Sequence, residues 1–243
     1  MLGLPDGIRA CLFDLDGVLT QTAAVHRSAW RETFDTLLRA MRGNGFQPFT
    51  DEDYALYVDG KPRRDGVRDF LASRGIHLPE GDPDDPPSAD TVAGVGNRKN
   101  EMLLRRLEED GVEVFEGSVR YVRAARRHGL RTAVVTASAN GEAIVRAAGL
   151  GDCFDARVDG VVAEQAHLRG KPAPDTFLAG ARALQVEPGE AAVFEDALAG
   201  VAAGRAGAFG FVVGVDRAGQ ADELRRRGAD IVVADLAELL ERP

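Results

Sequence analysis

Asp14 and Asp16 stand one residue apart in RACLFDLDGVLT, directly behind the apolar run IRACLF at 8–13. Two carboxylates that close repel each other and are costly to take out of water, so an ordinary core gives no reason to place them where a buried strand ends. A metal ion or a reacting group does. Two further clusters stand in the same relation to an apolar run. Thr136, Ser138 and Asn140 end or follow LRTAVVT (130–136), and Glu195 and Asp196 close AAVFED (191–196). Four carboxylates with no cation would repel severely. An oxygen-preferring ion such as Mg²⁺ resolves that, and it commonly bridges to a phosphate oxygen. Lys171, in RGKPAPDTF, offers a cation opposite a phosphate, with Pro172 and Pro174 fixing the chain around it. A nucleophilic carboxylate, a second one for proton transfer, a divalent ion, a hydroxyl and a lysine are equipment for phosphoryl transfer through an aspartyl-phosphate.

Strand-like runs that alternate with helical periodicity position these residues. After 8–13, residues 118–128 place Val119, Val122 and Ala125 on one helix face and stop at Gly129. The β-branched run 130–136 follows, then a helix over about 140–148. AAVFED and AFGFVVGV (208–215) read as buried strands joined by the small-residue helix ALAGVAAGRAG, able to pack closely on a sheet. GADIVVAD (228–235) gives a last short strand, followed by a Leu-rich terminal helix. This order predicts right-handed βαβ units and a doubly wound parallel α/β sheet covered on both faces, with its site at the carboxyl ends of the strands. Between the first strand and residue 118 the rhythm breaks into helical patterns near 22–41, 63–74 and 97–109, with LPEGDPDDPPSAD (78–90) as an exposed loop. The expected division is an α/β core at 1–24 and 111–243 and a mainly helical insertion at 25–110.

The 243 residues carry a formal charge of −9, which argues against nucleic-acid and anionic-membrane partners but leaves room for a phosphorylated small molecule. Cys11 and Cys153 form no paired motif, as suits a reducing cytoplasm. No apolar run approaches the roughly 20 residues that span a bilayer, and MLGLPDGIRA lacks the pattern of a signal peptide. A cytoplasmic, monomeric protein is the expectation.

DLDGVLT, the segment Thr136-Ala137-Ser138, GKPAPD and FEDALAG resemble, in this order, the four motifs of the haloacid-dehalogenase-like superfamily, over nearly the whole chain. The resemblance implies a Rossmann-like core with an inserted helical cap. It makes Asp14 the nucleophile and a metal ligand, and Asp16 the general acid/base that also turns its backbone carbonyl to Mg²⁺. Glu195 and Asp196 would be the remaining metal ligands, and Thr136 and Lys171 would hold the transferring phosphoryl group. TAAVH (22–26), DGKPRRDGV (59–67), NRKN (97–100) and TASANG (136–141) further resemble the β-phosphoglucomutase-like branch. That likeness implies a sugar phosphate bound through His26, Gly60, Arg63, Lys99, Ala137, Ser138 and Asn140, with Arg63 gripping the non-transferring phosphate in bidentate fashion. The implied reaction converts β-glucose 1-phosphate to glucose 6-phosphate, and the alternative is hydrolysis of a sugar phosphate or a similar metabolite. Three features depart from the branch: Ala139 stands where it has Lys, Pro62 where it has Ser, and 78–90 is extra length.

Plainer roles stand beside these. Glu195 and Asp196 suit a helix N-terminus, Lys61 reads as a solvated loop residue, and His26 divides between a site role and a local hydrogen bond. His77, His128 and His167 read as surface or loop residues, Trp30 as packing of a helix, and Cys11 as a small hydrophobe. The glycines of GRAGAFG follow a helix and lead into a strand, the wrong context for a dinucleotide fingerprint. Asp16 and Asp196 argue against a metal-free dehalogenase, and the full set of motif carboxylates argues against a relic binding protein.

Overall fold

Runs of Val, Ala and Phe with no polar alternation need cover on both faces, and a parallel sheet provides it. The computed structural model describes residues 2–241. The chain divides into two units, one formed by the residues up to Gln21 and from Val112 onward, the other by Thr22–Gly111.

The first unit is built on six strands, β1 (Ala10–Phe13), β2 (Arg131–Val135), β3 (Ala156–Val158), β4 (Ala191–Glu195), β5 (Phe211–Val215) and β6 (Ile231–Val233), in the order β3-β2-β1-β4-β5-β6. Every pairing is parallel, and β1 lies between Arg131–Val134 and Ala191–Phe194. The doubly wound sheet expected from the sequence is present. Strand order reverses between β1 and β4, and in such sheets the crevice at this point takes the ligand. All four β1 residues are buried. On one face Phe13 stacks on Phe194 at 4.5 Å, with Tyr121 edge-on to Phe13 at 6.2 Å. On the other, Leu12, Val193, Val201 and Phe177 share a core. The small-residue helix, Leu198–Ala206, packs as closely as its composition implies, since a Cβ on Gly204 would meet Val212 and Val193 at 3.2 and 3.3 Å.

Three details differ from expectation. β3 has three residues, with Arg157 exposed at its centre, and so has none of the apolar continuity that marks the inner strands. Residues Leu236–Leu240 wind as a 3₁₀ helix, fastened at their start by the Asp235 carboxylate accepting from Ala237 N–H. The helix expected near 97–109 begins earlier and spans Val92–Asp110, because Thr91 caps it by accepting from Gly94 N–H.

The second unit is helical, as the broken rhythm implied. Thr22–Arg42, Arg63–Ser73 and Val92–Asp110 enclose Trp30, Phe34, Phe49, Phe70, Leu71 and Val95. Trp30 stacks on Phe34 at 5.0 Å, and Phe34 lies 4.2 Å from Phe70. The 78–90 loop is tied down: the Asp85 carboxylate accepts from Thr91 Oγ1 at 2.7 Å, and Asn97 Nδ2 donates to the carbonyls of Pro83 and Asp85. Lys61 is no solvated residue. Its side chain is 16% exposed and pairs with Asp69 at 2.6 Å, a carboxylate nearly two turns into the helix that the lysine precedes. No helix of the described residues is long and apolar enough to cross a membrane. Phe34→Ala removes the ring shared by Trp30, Phe49 and Phe70 and is expected to cost about 3–5 kcal/mol in denaturant unfolding. A loss below about 1 kcal/mol would mean that these helices do not share a core.

Candidate active site

Each cluster of chemical residues lies at the carboxyl end of a strand in the α/β unit. Asp14 follows β1, and its N–H donates to the Phe194 carbonyl at 2.9 Å, so it is fixed against β4. Glu195 ends β4 and Asp196 comes next. Oxygens of Asp14, Glu195 and Asp196 fall within 4.8 Å of one another, and all three residues are buried.

Lys171 enters this group from the segment before the helix Asp175–Ala183 and is 3% exposed. Its Nζ donates to Asp14 Oδ1 at 2.5 Å, to Glu195 Oε1, and to the Val135 carbonyl at 3.3 Å, and it lies 4.8 Å from the centre of the Phe177 ring. The Lys171–Pro172 peptide is cis. Glu195 Oε2 accepts from Ala197 N–H at 2.8 Å, just ahead of the helix Leu198–Ala206, whose N-terminal amides take no side-chain cap among the described residues.

Asp16 is half-buried, and its Oδ2 accepts from Thr136 Oγ1 at 3.2 Å. The loop after β2 is held by hydrogen bonds of its own. Thr136 Oγ1 accepts from Ser138 N–H at 3.0 Å, Ser138 Oγ from Asn140 N–H at 3.2 Å, and the Ser138 carbonyl from Gly160 N–H at 3.0 Å. Ala137, Ser138 and Asn140 are half-buried, whereas Ala139 is exposed.

Glycines set how closely these loops approach. Gly17 has φ +94°, and a Cβ there would lie 1.9 Å from Asp196 Oδ2; a Cβ on Gly200 would lie 1.8 Å from Glu195 Oε1. Both are motif letters in DLDGVLT and FEDALAG, but a sequence does not say what they touch. Arg217 and Gln220, on the loop after β5, donate to the carbonyls of Gly17 and Asp196 at 3.0 and 3.1 Å. Neither was singled out in the sequence, where a bond to a backbone carbonyl leaves no trace.

Within the helical unit, His26 and Lys99 meet: Lys99 Nζ lies 3.0 Å from His26 Nδ1 and 5.1 Å from the centre of the Trp30 ring. Arg63 lies beside Gly96, one turn before Lys99; a Cβ on Gly96 would meet its Cγ at 3.2 Å. Gly60 turns the chain ahead of that helix with φ +70°. His77, His128 and His167 are exposed.

Burial opposes charge on Lys171, but Asp14 and Glu195 outweigh it and hold the ammonium above the ordinary lysine value. Burial pushes the Asp14 carboxyl well above the ordinary carboxylate range; Lys171 pulls it back, and Glu195 and Asp16 add to the rise. With Asp14, Glu195 and Asp196 all ionised, the one ammonium would leave two negative charges unpaired in this group. An all-oxygen, buried donor set with that excess fits a hard divalent cation.

A family model described as haloacid dehalogenase-like hydrolase matches residues 8–207, and the chain belongs to this family. Among its relatives, a β-phosphoglucomutase of Mycobacterium tuberculosis is 57% identical over 99% of this chain and 94% of its own. The crystal structure of CbbY from Rhodobacter sphaeroides in complex with phosphate is 28% identical, covers 96% of each chain and superposes with a TM-score of 0.70. A Clostridium difficile β-phosphoglucomutase structure at 24% identity has the same fold, with a TM-score of 0.76 over 96% of this chain and 93% of that one.

The raised Asp14 carboxyl has a consequence for stability. Without metal, the folded chain holds a proton that the unfolded chain has released, so stability falls as pH rises from about 4, the ordinary carboxylate value, toward the folded value. In melts with chelator, Asp14→Asn is expected to flatten this slope, and Mg²⁺ is expected to flatten it in the unsubstituted protein. Parallel slopes for the two proteins would place the strain elsewhere.

Proposed function

We propose that this chain is a Mg²⁺-dependent phosphotransferase that converts β-glucose 1-phosphate to glucose 6-phosphate through a phosphorylated Asp14. The observation that carries the reading is the 57% identity, nearly end to end, with the M. tuberculosis β-phosphoglucomutase. The geometry supports the same chemistry. Lys171 holds Asp14 Oδ1, which leaves Oδ2 as the attacking atom. Phospho-Asp14 passes its phosphoryl group to the free hydroxyl of β-glucose 1-phosphate: Asp16 takes that hydroxyl's proton as the bond from phosphorus to Oδ2 breaks, which gives the bisphosphate. After the bisphosphate reorients, Oδ2 attacks the other phosphate, the bond from phosphorus to the sugar oxygen breaks, and Asp16 returns the proton to that oxygen, releasing glucose 6-phosphate with Asp14 phosphorylated again. Thr136 orients Asp16 and, with Lys171, holds the phosphoryl oxygens. Asp14, Glu195, Asp196 and the Asp16 carbonyl would hold Mg²⁺, which when bound neutralises charge on the transferring group.

We assign Ala137, Ser138 and Asn140, and in the helical unit His26, Gly60, Arg63 and Lys99, to the sugar and its second phosphate. The helical unit then serves as the family's cap. With net charge −9 and two free cysteines, the reading is of a monomer in the cytoplasm with no nucleic-acid or membrane partner.

The exposed Ala139 favours a second reading. Lacking the cation that the branch has there, the site would hold a second phosphate less firmly, and water could then compete as acceptor in a phosphatase. ³¹P NMR with β-glucose 1-phosphate, Mg²⁺ and a trace of glucose 1,6-bisphosphate separates the two. Glucose 6-phosphate without inorganic phosphate is expected, and inorganic phosphate as the main product would make the chain a phosphatase. In the same assay Asp14→Asn is expected to abolish turnover, and Asp16→Ala to slow it about 10²–10⁴-fold. Substantial turnover by Asp14→Asn would overturn the nucleophile.

A further inference from the structure

Gly17 joins the proposed general acid to a proposed metal ligand: it follows Asp16, and the Asp196 carboxylate lies against it. No other residue fits, since the backbone is left-handed at φ +94° and the Asp196 carboxylate occupies the place of a side chain. Glycine is the most mobile choice for such a point, so the precision of the Asp16 peptide has to come from outside. On its amide side it does: Gly17 N–H donates to the Thr20 carbonyl at 2.8 Å. On its carbonyl side the restraint is Arg217, whose Nε donates to Gly17 O at 3.0 Å.

Arg217 is itself held by several partners. Its Nη1 donates to the Ala234 carbonyl at 2.6 Å and lies 3.7 Å from the Asp235 carboxylate, and its guanidinium carbon sits 3.6 Å from the centre of the Phe115 ring. Phe115 N–H in turn donates to the Leu19 carbonyl at 2.9 Å, within the same loop as Gly17. The loop that carries Arg217 is stiffened by Asp216, whose Oδ1 accepts from the N–H groups of Ala218 and Gln220. Gln220 then reaches the Asp196 carbonyl. One five-residue loop thus holds the backbone beside both catalytic acid clusters.

We propose that Arg217 is a positioning residue for Asp16: by fixing the Gly17 carbonyl it removes the rotation that Gly17 would otherwise allow. A planar fork can bind two carbonyls while stacking on a ring; an ammonium cannot, so lysine is a poor replacement. The proposal rests on the assignment of Asp14 as nucleophile and Asp16 as general acid.

Two phosphoryl donors separate positioning of Asp16 from a general structural role. A sugar phosphate expels an alkoxide that needs the Asp16 proton. Acetyl phosphate expels acetate, which leaves as the anion when Asp14 attacks phosphorus and needs no proton. With Mg²⁺ present, Arg217→Ala is expected to lower kcat on the sugar phosphate about 10- to 100-fold with KM within about 3-fold. Phosphorylation of Asp14 by acetyl phosphate, read by intact mass, is expected to stay within about 3-fold. Arg217→Lys keeps the charge and is measured alongside, expected to show the same selective loss to a smaller extent; it decides the question if Arg217→Ala does not fold. Equal losses with the two donors, or no loss with either, overturn the positioning role. An unsubstituted protein that acetyl phosphate does not label on Asp14 overturns the underlying assignment, and this inference with it.

Discussion

A single buried ammonium shared by two buried carboxylates is the constraint around which the α/β unit is organised. Charges taken out of water cost several kcal/mol each unless they are paired, and Lys171 is paired with both Asp14 and Glu195. The pairing requires β1 and β4 to be neighbours, since each carboxylate ends one of them. It also requires the segment before the helix Asp175–Ala183 to deliver its lysine to the same point. A parallel sheet satisfies this because all its strands end on one side, and the reversal of strand order between β1 and β4 opens a crevice there. Carboxylates in excess of the one ammonium give the crevice its chemical character. Asp14 and Glu195 hold the lysine charged, burial together with Glu195 and Asp16 pushes the Asp14 carboxyl toward neutrality, and a divalent cation is the natural remedy.

Closeness on this scale leaves little room for side chains. Gly17 and Gly200 stand where a methyl group would overlap the carboxylates of Asp196 and Glu195. The acids are therefore in contact with backbone, and the backbone is in turn restrained by hydrogen bonds to carbonyls: Thr20 and Arg217 at Gly17, Gln220 at Asp196. Positional precision at the acids comes from this outer layer as much as from the strands.

The helical unit has a separate physical basis. Its aromatic core is formed by its own residues, and His26, Lys99 and Arg63 are set by the packing of three helices, with Trp30 under the lysine. Its departures from the branch are local: Pro62 beside the Gly60 turn and a tethered loop at 78–90.

Much of the fold was legible because its signals are local. Unbroken apolar runs mark β1, β2, β4 and β5, and acids placed directly after such runs mark the end of the sheet where a ligand binds. β3 escaped because an edge strand of three residues carries no run, and the 3₁₀ turn at 236–240 because its Leu-rich pattern also suits a longer helix. The sequence by itself determined the kinds of chemical group available, their order, and the strand ends that carry them. Only the tertiary structure decided that Lys171 is shared between two acids, that Gly17 and Gly200 yield their side-chain space to carboxylates, and that Arg217, two hundred residues from Gly17, holds its carbonyl. The reason is physical: a hydrogen bond to a backbone carbonyl or an ångström of clearance depends on where distant segments come to rest, and side-chain identity along the chain does not encode it one residue at a time.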